Sequence, residues 1–291
     1  MMGSKYSKLK FDKISTSSIN ERYSKVTIKD FAQPVTSKST IDQFMESLPD
    51  ILAGKDLKEF ISHYKEAVTQ KKLIVWMMGA HIIKCGLNPI IINLMHKGFI
   101  NHLALNGAGA IHDVEIAKWG KTSEDVASGL QDGSFGMSRE TAAFINEGLN
   151  SNSGNDLGYA GLLGKALIEQ KAPNRGQSLL AAAYEYDIPM SLHPALGTEI
   201  THQHPNLNGA AFGEKSLIDF QIFTHSLSKL SEKGIVLNIG SAVILPEVFL
   251  KALTVVRNLG HPAYGFYSAV FDMIKHYRPT ENVMKRPTQD K

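Results

Sequence analysis

Imidazole and carboxylate groups crowd one stretch of the 291-residue chain, His193-Pro-Ala-Leu-Gly197-Thr-Glu199-Ile-Thr-His202-Gln-His204. In an extended segment alternate side chains point the same way. His202 and His204, with His193 and Glu199, therefore read as a zinc-type donor set, as polar contacts for a substrate, or as an ordinary hydrogen-bonded loop. The spacing matches no specific metal signature. A second group of chemically capable residues, Asp272, Lys275, His276, Arg278, Glu281, Lys285 and Arg286, follows the last expected strand. It reads as a lid, a subunit contact or a solvated tail. Asp113 stands near a helix start, where a carboxylate caps backbone donors or meets a ligand, and His112 and Glu115 flank it. Cys85 beside Lys84 has the surroundings of a reactive thiol, and the blander reading is a small core cysteine.

These groups need elements to position them, and four glycine-bearing segments supply candidates: Gly79-Ala80-His81, Asn106-Gly107-Ala108-Gly109, His193 to Gly197, and Asn238 to Ala242. Each follows an apolar, strand-like run, and small residues at strand ends let a ligand approach the backbone closely. Strands are expected at Leu73–Met78, His102–Asn106, Pro189–Leu192, Gly234–Ile239 and Ala263–Ala269. Helical patterns lie between them, at Pro89–Lys97, Asp113–Trp119, Ser178–Tyr186, Ser216–Lys233 and Pro246–Asn258. Such alternation implies an α/β fold, a Rossmann-like parallel sheet with helices on both faces. Its carboxyl edge would bind a nucleotide. Before the sheet, helices are expected over Ser39–Leu52 and Leu57–Thr69; residues 123–171 read as mainly helical, with a loop at Asn150–Asn155 and a long polar loop at Gly197–Gly213.

Composition narrows the function classes. The net charge of +3 is concentrated in residues 1–30, where seven Lys/Arg face three Asp/Glu. The remainder is slightly acidic, which argues against a nucleic-acid partner. Residues 1–30 read as a mobile basic arm and 31–291 as a single α/β domain. One cysteine permits no intrachain disulfide and fits the cytoplasm. No apolar run reaches the length needed to span a bilayer, and no signal-peptide pattern is expected at the N-terminus.

Taken together the motifs resemble the deoxyhypusine synthase family, most closely its bacterial deoxyhypusine synthase-like branch. The resemblance covers about Thr27 to Pro287 and rests on His81-Ile-Ile-Lys-Cys-Gly86, Asn106-Gly-Ala-Gly-Ala-Ile-His-Asp113, Ile188-Pro with Pro194-Ala-Leu196, Asn238-Ile-Gly-Ser-Ala-Val243, and Phe271-Asp272 followed by Arg278-Pro279 and Glu281. It implies NAD as cofactor, a homotetramer, and transfer chemistry on a polyamine or related small amine. By the same resemblance Asn106, Gly107, Gly240, Ser241, Ala242 and Asp272 would contact the cofactor, and the strand-end reading adds His81, Gly109 and Asp113 to them. Glu281 matches an acid of the family's amine-handling segment; read from the residues themselves, Lys285 or Lys275 would form an imine, Glu247 would be the base, and His193, Glu199, His202 and His204 would meet the substrate. The family's histidine pair after the glycine turn is replaced by Val243-Ile-Leu-Pro246-Glu247. The resemblance thus implies a related transferase rather than a deoxyhypusine synthase itself. The alternatives are nucleotide binding without redox chemistry and a metal-dependent enzyme built on His193, His202 and His204.

Overall fold

The computed structural model describes residues 6–151 and 156–289. The chain divides into two compact units, Met1–Glu59 and Phe60–Lys291, so the boundary expected after residue 30 falls inside the first unit. In that unit residues 6–40 are almost wholly exposed, with one short turn of helix at Ile28–Asp30. Helix α1 (Ile41–Ser47) follows, started by a reciprocal cap in which Thr40 and Gln43 bond each other's backbone amides. It ends well short of Leu52, where α2 (Leu52–Thr69) begins.

The second unit is an α/β fold around a five-stranded, all-parallel sheet of order β3-β2-β1-β4-β5. The strands are β1 (Ile74–Met78), β2 (His102–Asn106), β3 (Met190–His193), β4 (Ile235–Ile239) and β5 (Tyr267–Phe271). Between β1 and β2 lie α3 (His81–Lys84) and α4 (Asn88–His96); between β2 and β3 lie α5 (Gly107–Trp119), α6 (Val126–Asp132), α7 (Arg139–Ala142), α8 (Gly148–Asn150), α9 (Tyr159–Glu169) and α10 (Leu179–Glu185). Helix α11 (Gly209–Ser228) leads to β4, and α12 (Ile244–Asn258) to β5. Part of the loop expected at Asn150–Asn155, residues 152–155, lies outside the described residues.

Both sheet faces are covered, which is why the central strands are apolar at nearly every position. Val75, Met77 and Val236 pack against Phe223 and Leu227 of α11 and Phe249 and Leu253 of α12. Met78, Leu103, Leu105 and Leu192 face the other way, toward α4, α5, α9 and α10. The second half of α2 closes this face at the far side, where Ala67 packs with Ile74 and Ile235. Because every strand runs the same way, the four glycine-bearing segments after β1, β2, β3 and β4 share one edge.

Three element starts differ from expectation. Gly107–Ile111 is not a turn but the first part of α5, because Asn106 Oδ1 accepts the Gly109 amide and caps the helix directly after β2. In the same way Asn208 starts α11 at Gly209, seven residues before Ser216. The last strand runs Tyr267–Phe271, shifted from Ala263–Ala269.

Candidate functional site

The strand order reverses between β1 and β4, and open parallel sheets bind ligands outside such a reversal. Here the two strand ends are locked together: the Gly79 amide donates to Ile239 O at 2.9 Å, and a Cβ at Gly79 would stand 2.1 Å from Gly240 O. Gly240 differs. It has φ +62° and nothing within 4 Å of where a Cβ would point, so its space is open. The Gly240 amide in turn donates to Phe271 O, which sets exposed Asp272 beside the turn. Ser241 is buried and its Oγ accepts the Leu245 amide at the start of α12. Gly240, Ser241, Ala242 and Asp272 therefore share one end of the edge, with exposed His81 after the neighbouring β1.

Asn106 and Gly107 lie at the end of β2, on the other side of β1. The amino end of α5 is already faced by a carboxylate, since a Cβ on Gly107 would lie 2.3 Å from Glu199 Oε1. Glu199 is held by the Ala195 amide at 3.2 Å and the Thr198 hydroxyl at 3.1 Å, and burial raises its carboxyl above the ordinary range. Gly109 packs against Leu105. Asp113 is fully buried, and its carboxylate accepts from Ser178 Oγ, the Leu179 and Leu180 amides and Asn88. It caps α10 instead of facing a ligand.

The three imidazoles expected to act together are dispersed. His193 is buried in the sheet, bonded to Ser191 at 2.8 Å and pushed down to about 3 by burial. His204 Nε2 meets Gly136 O at 2.8 Å. His202 accepts the Gly197 amide on Nδ1, so a neutral ring carries its proton on Nε2, which lies 3.0 Å from Glu199 Oε2 without hydrogen-bond alignment. Among the described residues no three His, Cys, Asp or Glu side chains converge as metal ligands, so the donor set expected at His193, His202 and His204 is not assembled. Cys85 is exposed, not a core residue.

Three of the four expected catalytic residues belong to one charged cluster on α12 and the C-terminal helical turns. Asn282 Nδ2 donates to Glu247 Oε1 at 2.9 Å, Arg278 Nε pairs with the same oxygen at 3.2 Å, and Lys251 bonds Oε2. Those partners, Lys251 first, hold the Glu247 carboxyl below its usual range, which weakens it as a base. Lys285 donates to Glu281 at 2.7 Å and lowers that carboxyl. Lys285 and Lys275 are exposed, whereas an imine-forming lysine calls for shelter from water.

A cavity of about 850 Å³ runs along α5, lined also by residues between 121 and 141 and by Thr198 to Ile200. Its floor is a directed chain of hydrogen bonds. Thr122 donates to Glu115 Oε2 at 2.5 Å, Thr141 donates to Glu115 Oε1 at 2.9 Å, and Ser138 lies 2.9 Å from Thr141. Since the Thr122 proton goes to Glu115, its oxygen accepts from His112 Nδ1 at 2.6 Å. Burial, with Lys84 and His81 nearby, pushes His112 down to about 4, so the ring is neutral near pH 7 with its lone pair on Nε2. His112 and Glu115 carried a sequence signal as flanks of Asp113; Thr122, Ser138 and Thr141 carried none.

No family model matches the chain, and no curated protein matches it in sequence. Solved structures similar to it include a provisionally named deoxyhypusine synthase from Entamoeba histolytica, at 11% identity over 70% of this chain and 76% of that one, with a TM-score of 0.46. A provisionally named conserved LOR/SDH protein from Methanococcus maripaludis S2 is 14% identical over 88% of this chain and 70% of that one, with a TM-score of 0.45. AgrE, solved as a ternary complex with ornithine and NAD+, is 13% identical over 67% of this chain, which spans only 25% of AgrE; the TM-score is 0.44.

Proposed function

We propose that this chain is an NAD-binding enzyme acting on a small amine, in the manner its sequence motifs imply. One observation carries the cofactor half: Gly79 and Gly240 meet at the strand-order reversal, and Gly240 leaves open space at a positive φ. A pyrophosphate needs a backbone it can approach without a side chain in the way. Gly240, Ser241 and Ala242 would hold it, and Asp272 would bond ribose hydroxyls. When bound, the nicotinamide supplies a hydride acceptor. The amine half is favoured by the cavity along α5, whose inner carboxylates Glu115 and Glu199 suit a cation. Assembly as a homotetramer is part of the same reading and rests on the sequence resemblance.

Calorimetric titration with NAD+ tests the cofactor half. The wild-type chain is expected to bind, and Gly240→Val, which places a branched side chain in the open space, to bind about tenfold more weakly or not at all. Wild-type protein that takes up no NAD+ at millimolar concentration ends this reading. NADH absorbance after adding spermidine or 1,4-diaminobutane tests the reaction. NAD+ binding without reduction by either amine favours the non-redox alternative.

A further inference from the structure

We propose that the cavity along α5 is a seat for a primary ammonium group, recognised by the lone pair of His112 Nε2 and by the Glu199 carboxylate. This assignment rests on the amine reading above and adds the site and the residues that read the ligand. The hydrogen-bond chain leaves the cavity rich in acceptors. Thr122 and Thr141 both spend their protons on Glu115, and Ser138 spends its own on Thr141. His112 gives its ring proton to Thr122, and among the described residues no protein group bonds Nε2. Glu199 Oε2 is a buried oxygen without an aligned donor, with His202 Nε2 3.0 Å away, so an ammonium group would reach it on the side away from His202.

Charge favours the same ligand. At the rim, exposed Glu124 and Glu140 balance exposed Lys84 and Lys121. Farther in, Glu115 is joined through Thr122 to a neutral imidazole, and Glu199 lines the same cavity. Past the two rim lysines an anion would meet the Glu115 and Glu199 carboxylates, and an apolar ligand would leave the acceptors unpaired at a cost. An ammonium group brings three donors and a compensating charge. The apolar side chains of Trp119 and Phe135 offer a surface for the alkyl chain of such an amine.

The test uses 1,4-diaminobutane titrated into the full chain without NAD+, followed by calorimetry and histidine ring NMR. Wild-type protein is expected to bind and to shift the His112 signals. Glu199→Gln and His112→Leu are each expected to weaken binding about tenfold. His112→Gln, which keeps an acceptor, recovers part of the loss, and Thr122→Val weakens binding by freeing the ring tautomer without touching the ligand. Circular dichroism checks that each variant folds, and should His112→Leu fail, the Glu199 and Thr122 variants decide. Diamine binding that is absent, or that ignores all three changes, overturns the proposal. If the diamine binds as described and NAD+ does not, the seat stands and the dinucleotide reading falls. If NAD+ is reduced while diamine affinity ignores His112 and Glu199, the reverse holds.

Discussion

Ser178 Oγ donates to Asp113 Oδ2 across 2.5 Å, joining the first residue before α10 to the middle of α5. The same carboxylate takes the Leu179 and Leu180 amides at 2.8 and 3.0 Å, so the amino end of one helix is capped from another. A residue that sequence pattern places at a cofactor is thus spent on packing. Asp113→Ala is expected to cost about 3 kcal/mol, because it strands several buried donors. Urea unfolding would measure the cost. Asp113→Asn, which keeps an oxygen for the amides, should lose less and leave NAD+ affinity unchanged; a selective loss of NAD+ binding would restore a direct role.

Asp219 on α11 plays a matching part, accepting the Leu192 amide at 2.7 Å and the Ala160 amide at 2.9 Å, and burial pushes it up to about 8. Its folded pKa lies above the unfolded one, so the folded state holds the extra proton between about pH 4 and pH 8. The stability contributed by this group therefore falls as pH rises through that window. Asp219→Asn keeps an oxygen and does not titrate, so its stability relative to wild type should improve from about pH 5 to pH 8. A pH-independent difference in denaturant midpoint would contradict this.

His102 and His193 carry the opposite sign. Burial pushes both down to about 3, and they are tied to Ser191 and, through His102, to Ser226. Unfolded histidine gains its proton near pH 6.5, so this pair's contribution is complete above that value. It shrinks by up to about 1.4 kcal/mol per histidine per pH unit as pH falls toward 3. Ring NMR is expected to show both imidazoles neutral at about pH 5 in the folded chain. A titration of either near pH 6.5 would mean that the buried network opens.

The two glycines at the strand-order reversal should respond differently to a methyl group. At Gly79 it collides with the backbone of Gly240, and a loss of about 3 kcal/mol or more is expected for Gly79→Ala. Gly240→Ala meets open space and costs only the positive φ, about 1 kcal/mol. Thermal melts would order the two, and equal losses would show that Gly240 is packed after all.

Much of the fold was legible in periodicity. Short, largely apolar runs such as Ile74–Met78 and Ile235–Ile239, alternating with helical patterns, point to a parallel sheet because a strand buried on both faces is apolar at nearly every position. Helix starts were less legible where glycine was involved. Gly107 and Gly109 read as a turn, yet one side-chain bond from Asn106 makes them helical. Local pattern does not say which of two local conformations a cap will select.

At the site, sequence alone determined which chemistry-bearing residues end the strands, and hence that Gly79, Asn106, His193 and Gly240 share an edge, since parallel strands leave no other arrangement. It also put His112 and Glu115 on either side of Asp113. Only the tertiary structure decided that Thr122 and Thr141 reach Glu115 from 7 and 26 residues away, that Asp113 turns inward to α10, and that His193, His202 and His204 part company. Contacts of that kind depend on where whole elements pack, and packing is set by the shape of the core rather than by spacing along the chain.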